Sequence, residues 1–370
     1  MKHFSYFTIA NSIFILVFNL FNTFGIAFLY NRNDNSFYHS VGLLIIIRIL
    51  YVLILPFGTK FVGRIGTKSA LFVSLISLLF SNLSLLYLNN GDIFLYIWIF
   101  LSALSYTFFF LPIALFTSKY TQTGTRGLQM GKIYSAVIFA TAFAPYITGE
   151  VLSRYSISGF VLLLATLITF SLFFTAKLGN IHFYYNGGLR NFRFNRSLIR
   201  GSWIEACHYS TRNLSIFWTL YIFIFFDENY EKFGLLLTAI TLFSAFMNVF
   251  VGKYLNQHNR RDIIKTQIIF TPFSWIFRIL AINPVGIFFA DAFHSLNSYI
   301  RESAVETTAF DLINRDDHKE ILDEKIVIRE IIINLGIIFT LSLGIIFASL
   351  FGIKASFILG IIVSLGYLLI

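Results

Sequence analysis

Long apolar segments alternate with short polar turns along the whole chain. A helix that crosses a membrane needs about 20 consecutive, mostly apolar residues, and twelve segments of the sequence reach that length. The predicted spans cover residues 6–30, 38–58, 68–88, 93–118, 131–153, 157–177, 202–226, 231–253, 263–281, 285–311, 326–351 and 354–370. Because lipid offers the main chain no hydrogen-bonding partners, each span is predicted to be an α-helix.

The longest polar stretch lies between the sixth and seventh predicted spans. Residues 178–201 are rich in arginine, aromatic and polar side chains. We therefore predict an all-α protein with a six-helix bundle over residues 1–177, a basic cytoplasmic linker over 178–201 and a second six-helix bundle over 202–370. The linker is interpreted as a solvated segment at the membrane face, with an anionic-lipid or partner site as the alternative.

The composition agrees with a multi-pass membrane protein. Hydrophobic residues make up 57% of the chain and charged residues 12%, about half the charged share of soluble domains. The one cysteine, Cys207, allows neither an internal disulfide nor a multi-thiolate metal site, and no Gly-x-x-x-x-Gly-Lys-Ser/Thr loop is present to cradle ATP phosphates. We therefore expect no enzymatic activity, cofactor or metal, and interpret the acidic residues around Asp316 as a solvated loop.

Lysine and arginine predict the orientation of the chain. With the N-terminus in the cytoplasm, the inner loops contain 19 of these residues and the outer loops contain 4. Cytoplasmic loops of membrane proteins carry this excess, so both termini are predicted to lie in the cytoplasm. The protein itself is predicted to lie in the cytoplasmic (inner or plasma) membrane. The same loops account for the net charge of +10 without a nucleic-acid partner.

Two basic loops occur at matched places, each between the second and third spans of a half. The first runs from Gly58 to Lys68 and the second begins at Gly252. Their shared small and basic residues are Arg64, Gly66 and Lys68 in the first copy and Gly252, Asn256, Arg260 and Arg261 in the second. The pair resembles the signature Gly-x-x-x-Asp/Asn-Arg-x-Gly-Arg-Arg/Lys of the major facilitator superfamily, although Gly63 stands where that family has an acid.

The fifth predicted span carries a second resemblance to the same superfamily. Ala144, Pro145 and Gly149 match positions of its antiporter signature, Gly-x-x-x-Gly-Pro-x-x-Gly-Gly. Pro145 is expected to bend this helix. The resemblance favours export of a solute in exchange for protons over uptake.

In the superfamily, spans 1, 4, 7 and 10 line a central cavity, and polar residues of this chain fall on those four spans. The implied solute and proton site comprises Asn19 and Asn22 on span 1, Tyr106 on span 4, Glu205, His208 and Arg212 on span 7, and Asp291, His294 and Ser298 on span 10. On spans 7 and 10 the spacing places them on one helix face. The alternative interpretation is a fixed polar seam that holds helices together.

Depth along the helices suggests how a proton is coupled. Arg212 is predicted to lie roughly 15 Å into the membrane from one side, and Asp291 roughly 8 Å from the other, so we expect these two to pair. We expect protonation of Asp291 and His294 to alternate with this pairing during the transport cycle. Glu205 and His208 are the next candidates. Arg48 is either a static tie or a transport residue. An inner gate and a set of solvated charges are the two interpretations of Glu302, Glu306, Asp311, Arg329 and Glu330.

Together these features predict a monomeric secondary active transporter that works by alternating access. Its partners would be a small solute, protons and membrane lipids. A uniporter or lipid flippase of the same fold is one alternative. A membrane scaffold or sensor that transports nothing is another.

Overall fold

The computed structural model describes residues 2–33, 35–120, 142–180, 196–255, 260–313 and 322–369, and these residues form helices and no strands. The prediction of an all-α fold is confirmed. The helices are α1 (Lys2–Leu20), α2 (Ile26–Arg32), α3 (Phe37–Ile65), α4 (Thr67–Ser84), α5 (Ile93–Tyr120), α6 (Ala144–Ala176), α7 (Arg196–Phe225), α8 (Tyr230–Leu255), α9 (Arg260–Leu280), α10 (Pro284–Ile313), α11 (Leu322–Phe351) and α12 (Ser356–Ser364). A π-helical turn, Phe21–Gly25, joins α1 to α2, and 3-10 turns extend α4 over Leu85–Asn90 and flank α12.

Seven helical stretches of the described chain have the length and apolar composition of membrane spans, which marks a multi-pass membrane protein. They are Thr8–Arg32, Phe37–Ile65, Thr67–Asn90, Ile93–Ala114, Ala144–Ala176, Tyr230–Met247 and Glu324–Phe351. The predicted spans 7, 9 and 10 correspond to α7, α9 and α10, which carry most of the charged side chains inside the bundle. The last predicted span is shorter than expected, since its apolar part covers Ile353–Tyr367.

The first basic loop is almost entirely helical, contrary to the sequence prediction. Helix α3 continues to Ile65, and α4 begins at Thr67. The connection shrinks to Gly66, whose φ of 84° and ψ of 165° favour glycine. In the second copy, Gly252 lies within α8 and Arg260 and Arg261 begin α9, while Asn256 lies outside the described residues.

The predicted fifth and sixth spans occur as one element, α6, which is broken at Ser156. This residue has a φ of 57° and a ψ of −155°. A Cβ atom added at Gly159 would lie 2.9 Å from Val151 Cγ1, although residues eight apart in a straight helix are about 12 Å apart. The chain therefore folds back at Ser156. Residues 131–141, the start of the predicted fifth span, lie outside the described residues.

Two other boundaries differ from the predictions. Pro145 lies in the first turn of α6, where a proline fits without breaking a hydrogen bond, so within the described residues it does not bend a helix. The linker predicted over 178–201 is shorter than expected, because α7 already begins at Arg196. Residues 181–195, the rest of that linker, are outside the described part.

The packing order of the first half recurs in the second. In the first half, α4 packs on α5 and α6, α3 packs on α5, and α1 packs on α6. In the second half, α9 packs correspondingly on α10 and α12, α8 packs on α10, and α7 packs on α12. The halves meet through α3 against α11 and through α6 against α8.

Hydrogen bonds identify the two ends of the bundle. At the first end, which contains Gly66, Lys68 Nζ donates to the carbonyl of Ala176 at 2.6 Å. At the second end, Arg32 donates to the carbonyl of Leu88 at 2.7 Å. We call these the Gly66 end and the Arg32 end. The sequence predicts that the Gly66 end faces the cytoplasm.

Candidate functional site

Polar side chains from both halves of the chain meet in the middle of the bundle. Arg48 lies about 16 Å along α3 from Phe37. Its Nη1 donates to Oδ1 of Asn334 on α11 at 3.0 Å, and its Nη2 donates to Oδ1 of Asn213 on α7 at 3.4 Å. The guanidinium carbon lies 5.1 Å from the ring centre of Tyr106 on α5. Because these partners come from three other helices, Arg48 points into the bundle and away from lipid.

A buried arginine between two carboxylates lies next to Arg48. Arg329 on α11 forms two hydrogen bonds with Glu205 on α7, and its Nη1 lies 2.5 Å from Oε1 of Glu330. The side chains of Arg329 and Glu205 are 4% and 0% exposed. This arrangement is two carboxylates around one cation, which is how a buried charge is compensated away from water.

Glu330 also connects the two halves of the chain. The Tyr51 hydroxyl on α3 donates to Oε2 of Glu330 at 3.1 Å, and Tyr51 is fully buried. The amide of Asn334, one turn further along α11, donates to the main-chain carbonyl of Glu330 at 2.8 Å. We call the set Arg48, Tyr51, Tyr106, Glu205, Asn213, Arg329, Glu330 and Asn334 the interface network.

The predicted pair of Arg212 and Asp291 does not form. Arg212 donates to Oε1 of Glu302 on α10 at 2.5 Å. Asp291 instead accepts a hydrogen bond of 2.5 Å from Nη2 of Arg278 on α9. The prediction was wrong because α7 and α10 each contain 30 residues, which is longer than the assumed spans and brings Arg212 towards the depth of Glu302.

Asp291 and His294 belong to a polar seam inside the second half. Asp291 Oδ1 also accepts from the indole N–H of Trp218 at 2.8 Å. The guanidinium of Arg278 lies 5.0 Å from the ring centre of Trp218 and 4.9 Å from that of Trp275. His294 Nδ1 shares a hydrogen bond of 3.0 Å with the Ser274 hydroxyl. The described hydrogen bonds of Asp291 and His294 therefore lie within the second half.

Neutral side chains surround Arg301, which is fully buried. Its Nε donates to Nδ1 of His208 at 3.0 Å, its Nη1 to the Thr271 hydroxyl at 2.8 Å and its Nη2 to the Ser298 hydroxyl at 3.5 Å. Because Nδ1 of His208 accepts, the proton of the neutral ring lies on Nε2. These contacts join α7, α9 and α10, so His208 and Ser298 are also part of the second half's own packing.

The candidate site residues of the first half fall into two groups. Tyr106 belongs to the interface network, with the ring of Phe18 on α1 at 5.1 Å between centroids. Asn19 and Asn22 are half-buried on either side of the start of the π-helical turn. Such turns in α-helices frequently mark functional sites. Neither amide makes a hydrogen bond within the described residues.

The first basic loop locks two helix ends together through an asparagine. The Asn180 side chain donates to the carbonyl of Ile65 at 3.0 Å and accepts from the main-chain N–H of Lys68 at 3.1 Å. It thereby caps both sides of the break at Gly66. Lys68 extends the lock to the end of α6, while Arg64 is exposed. The neutral amide of Asn180 thus joins the two helix ends at this loop, where the sequence has Gly63 instead of an acid.

The α6–α8 contact depends on two glycines. A Cβ atom at Gly149 would lie 2.5 Å from the carbonyl oxygen of Tyr230, and one at Gly234 would lie 2.5 Å from that of Pro145. The main-chain N–H of Tyr146, in the first turn of α6, donates to the Thr238 hydroxyl at 2.9 Å. Ala144 and Pro145 therefore belong to a close contact between the two halves.

No model of a protein family matches the chain, and no curated protein matches it significantly. Among the described residues, no three His, Cys, Asp or Glu side chains gather as metal ligands, and the acidic loop around Asp316 lies outside them, as do the side chains of Glu306 and Asp311.

Sequence reasoning missed three members of the interface network, namely Tyr51, Asn213 and Asn334. Tyrosine and asparagine carry no charge, so they stand out less in an apolar span than arginine or an acid. The available signal was position: Tyr51 lies close to Arg48 on α3, and Asn334 lies one turn from Glu330 on α11.

Proposed function

We propose that the chain is a secondary active transporter of the major facilitator type, with twelve spans in two six-helix bundles that move a small solute by alternating access and use a proton gradient. The repeated packing order of the halves supports this architecture. So does the resemblance of the two basic loops. On the resemblance carried by Ala144, Pro145 and Gly149, the proposed direction is export in exchange for protons.

The hydrogen bond from Tyr51 to Glu330 carries the proposal. This bond joins an ionisable carboxylate of one half to a buried side chain of the other, within two apolar helices. Carboxylates in this position are costly and usually serve ion or solute pathways. A transporter needs such a group because proton binding has to change the contact between its two moving parts.

Protonation of Glu330 would loosen the contact between the halves. Hydrogen bonds to an ionised group are about twice as strong as neutral ones, so neutral Glu330 holds Tyr51 and Arg329 less tightly. Arg329 keeps its two bonds to Glu205, which leaves the tie between α7 and α11 intact. The weakened link is therefore the one between α3 and α11, across which the two halves rock.

Transport into proteoliposomes tests the proposal. Vesicles with a pH difference of about one unit would be incubated with a stable-isotope-labelled mixture of metabolites, and the captured solutes measured by mass spectrometry. With one proton per solute, this gradient supports about tenfold accumulation. We expect the parent protein to approach that value and Glu330→Gln to stop near equal concentrations on both sides.

Glu150→Gln is the matched control, because Glu150 pairs with the exposed Arg154 near the Arg32 end and should accumulate solute like the parent. Accumulation with an acidic interior identifies exchange for protons, and accumulation with an alkaline interior identifies cotransport. Solute that equilibrates regardless of the gradient would indicate a uniporter instead. No movement of any solute would identify a scaffold or sensor and overturn the proposal.

A further inference from the structure

Two of the five arginines within or near the spans contact no carboxylate in the described part of the chain. Arg212, Arg278 and Arg329 form ion pairs, whereas Arg48 and Arg301 have only neutral partners. Arg301 is fully buried and enclosed by the second half. Arg48 is half-buried and lies where the halves meet, so it is the more accessible of the two.

The surroundings of Arg48 hold it ready for a ligand. The amide nitrogen of Asn213 is fixed by the carbonyl of Tyr209 at 2.8 Å, and that of Asn334 by the carbonyl of Glu330 at 2.8 Å. Both amide oxygens therefore have to face Arg48. A guanidinium has five N–H donors, and Arg48 uses two of them within the described residues, which leaves three for a further acceptor.

We propose that Arg48 binds the carboxylate of the transported solute, and that this solute is an organic monoanion with an aromatic body. A permanent charge within a membrane needs a counter-charge or a water-filled cavity, and the neighbouring carboxylates Glu205 and Glu330 bind Arg329 and not Arg48. The planar guanidinium matches a carboxylate with two parallel hydrogen bonds. This inference rests on the proposed function, since it names the solute class of the same site.

The aromatic body follows from the walls of the site. The Tyr106 ring lies beneath the Arg48 guanidinium. Phe18 and Phe110 pack edge-on against that ring with centroids 5.1 and 5.8 Å away, and Tyr51 lies 6.5 Å away. Aromatic rings favour such offset and edge contacts with one another. A ring attached to the bound carboxylate would therefore meet aromatic side chains from α1 and α5.

Thermal unfolding of the purified full-length protein tests the inference with three probes: benzoate, phenylacetate and 3-phenylpropanoate, each compared with its neutral amide at equal ionic strength. A ligand that binds only the folded state raises the unfolding temperature. We expect at least one carboxylate to raise it by several degrees while its amide does not. For Arg48→Gln, the apparent affinity for that carboxylate should fall by about tenfold or more.

Arg48→Lys and Arg154→Gln complete the experiment. Lysine keeps the charge without the paired geometry, so Arg48→Lys should bind with an intermediate affinity. Arg154→Gln removes an exposed arginine and should bind like the parent. The inference is overturned if no carboxylate exceeds its amide, or if Arg48→Gln and Arg48→Lys, both shown to be folded by their own unfolding transitions, bind as the parent does.

The transport experiment in proteoliposomes distinguishes failure of this inference from failure of the proposed function. If the carboxylate binds through Arg48 but no solute crosses proteoliposomes, the binding site stands and the transporter proposal fails. If the solutes captured in the metabolite experiment are neutral or cationic, and Arg48→Gln captures them equally well, the transporter proposal stands and the anion site is wrong.

Discussion

Carboxylates of similar burial have different roles in this protein because their partners differ. Glu330 is 8% exposed and Asp291 is also 8% exposed. Glu330 accepts from Tyr51 of the other half, whereas Asp291 is bonded to Arg278 and Trp218 of its own half. Under the proposed function, proton uptake by Glu330 would change the contact between the two halves. Proton uptake by Asp291 would only weaken the packing of one bundle.

This difference predicts that Asp291→Asn lowers stability. The substitution leaves the buried guanidinium of Arg278 without a counter-charge, which costs about 3–5 kcal/mol for a broken buried pair. Denaturant unfolding in lipid nanodiscs measures the loss. Glu150→Gln, which breaks an exposed pair, should cost less than about 1 kcal/mol. An Asp291→Asn protein as stable as the parent but unable to accumulate solute would return Asp291 to the coupling role that the sequence suggested.

At the scale of single residues, the sequence identifies which side chains are unusual but not which of them meet. Arg48, Glu205, Arg329 and Glu330 all stand out as charges in or near apolar spans. Their pairing depends on helix length and tilt, and an error of a few residues in a boundary moves a side chain by several ångströms. Such an error in the helix boundaries explains the prediction that Arg212 pairs with Asp291.

At the scale of helices, the close crossing of α6 and α8 depends on the absence of side chains at Gly149 and Gly234. Gly149→Ala would place a methyl group against the main chain of α8, and main-chain atoms cannot move aside as a side chain can. We expect the two helices to separate, at a cost of about 1–3 kcal/mol. Thermal unfolding measures the cost, and a spin-label distance from Asn90 to Glu231 near the Arg32 end measures the separation.

Gly42→Ala is the matched control, because Gly42 lies in α3 with nothing within 4 Å of an added Cβ. Alanine is the better helix former, so this protein should be as stable as the parent or slightly more stable. Equal behaviour of Gly149→Ala and Gly42→Ala would show that the halves do not depend on this crossing.

That the elements are helices is predictable from apolar length, but where the helices end is not. Residue Gly66 alone replaces a predicted loop of about ten residues, because the polar and basic stretch before it still suits a helix that projects beyond the membrane. The break at Ser156 lies at the predicted boundary between the fifth and sixth spans. Basic residues near helix ends thus indicate the membrane face without indicating where the helix stops.

At the scale of the whole molecule, side chains of the two halves also meet near the Arg32 end. Phe24 packs on Phe233 with ring centroids 5.2 Å apart, and Asn31 donates to the Tyr230 hydroxyl at 3.4 Å. Glu330 and Tyr51 lie deeper. The proposed alternating access requires a second arrangement in which these contacts near the Arg32 end open.

Paired spin-label distances in lipid nanodiscs test this claim most directly. One pair, at exposed Asn90 and Glu231, reports on the Arg32 end, and the other, at exposed Lys60 and Arg200, reports on the Gly66 end; the buried Cys207 would be replaced by serine. We predict two distance populations for each pair, and a change of pH that lengthens one distance while shortening the other, with Glu330→Gln insensitive to pH. A single distance at each end, unchanged by pH in the parent, would contradict the account.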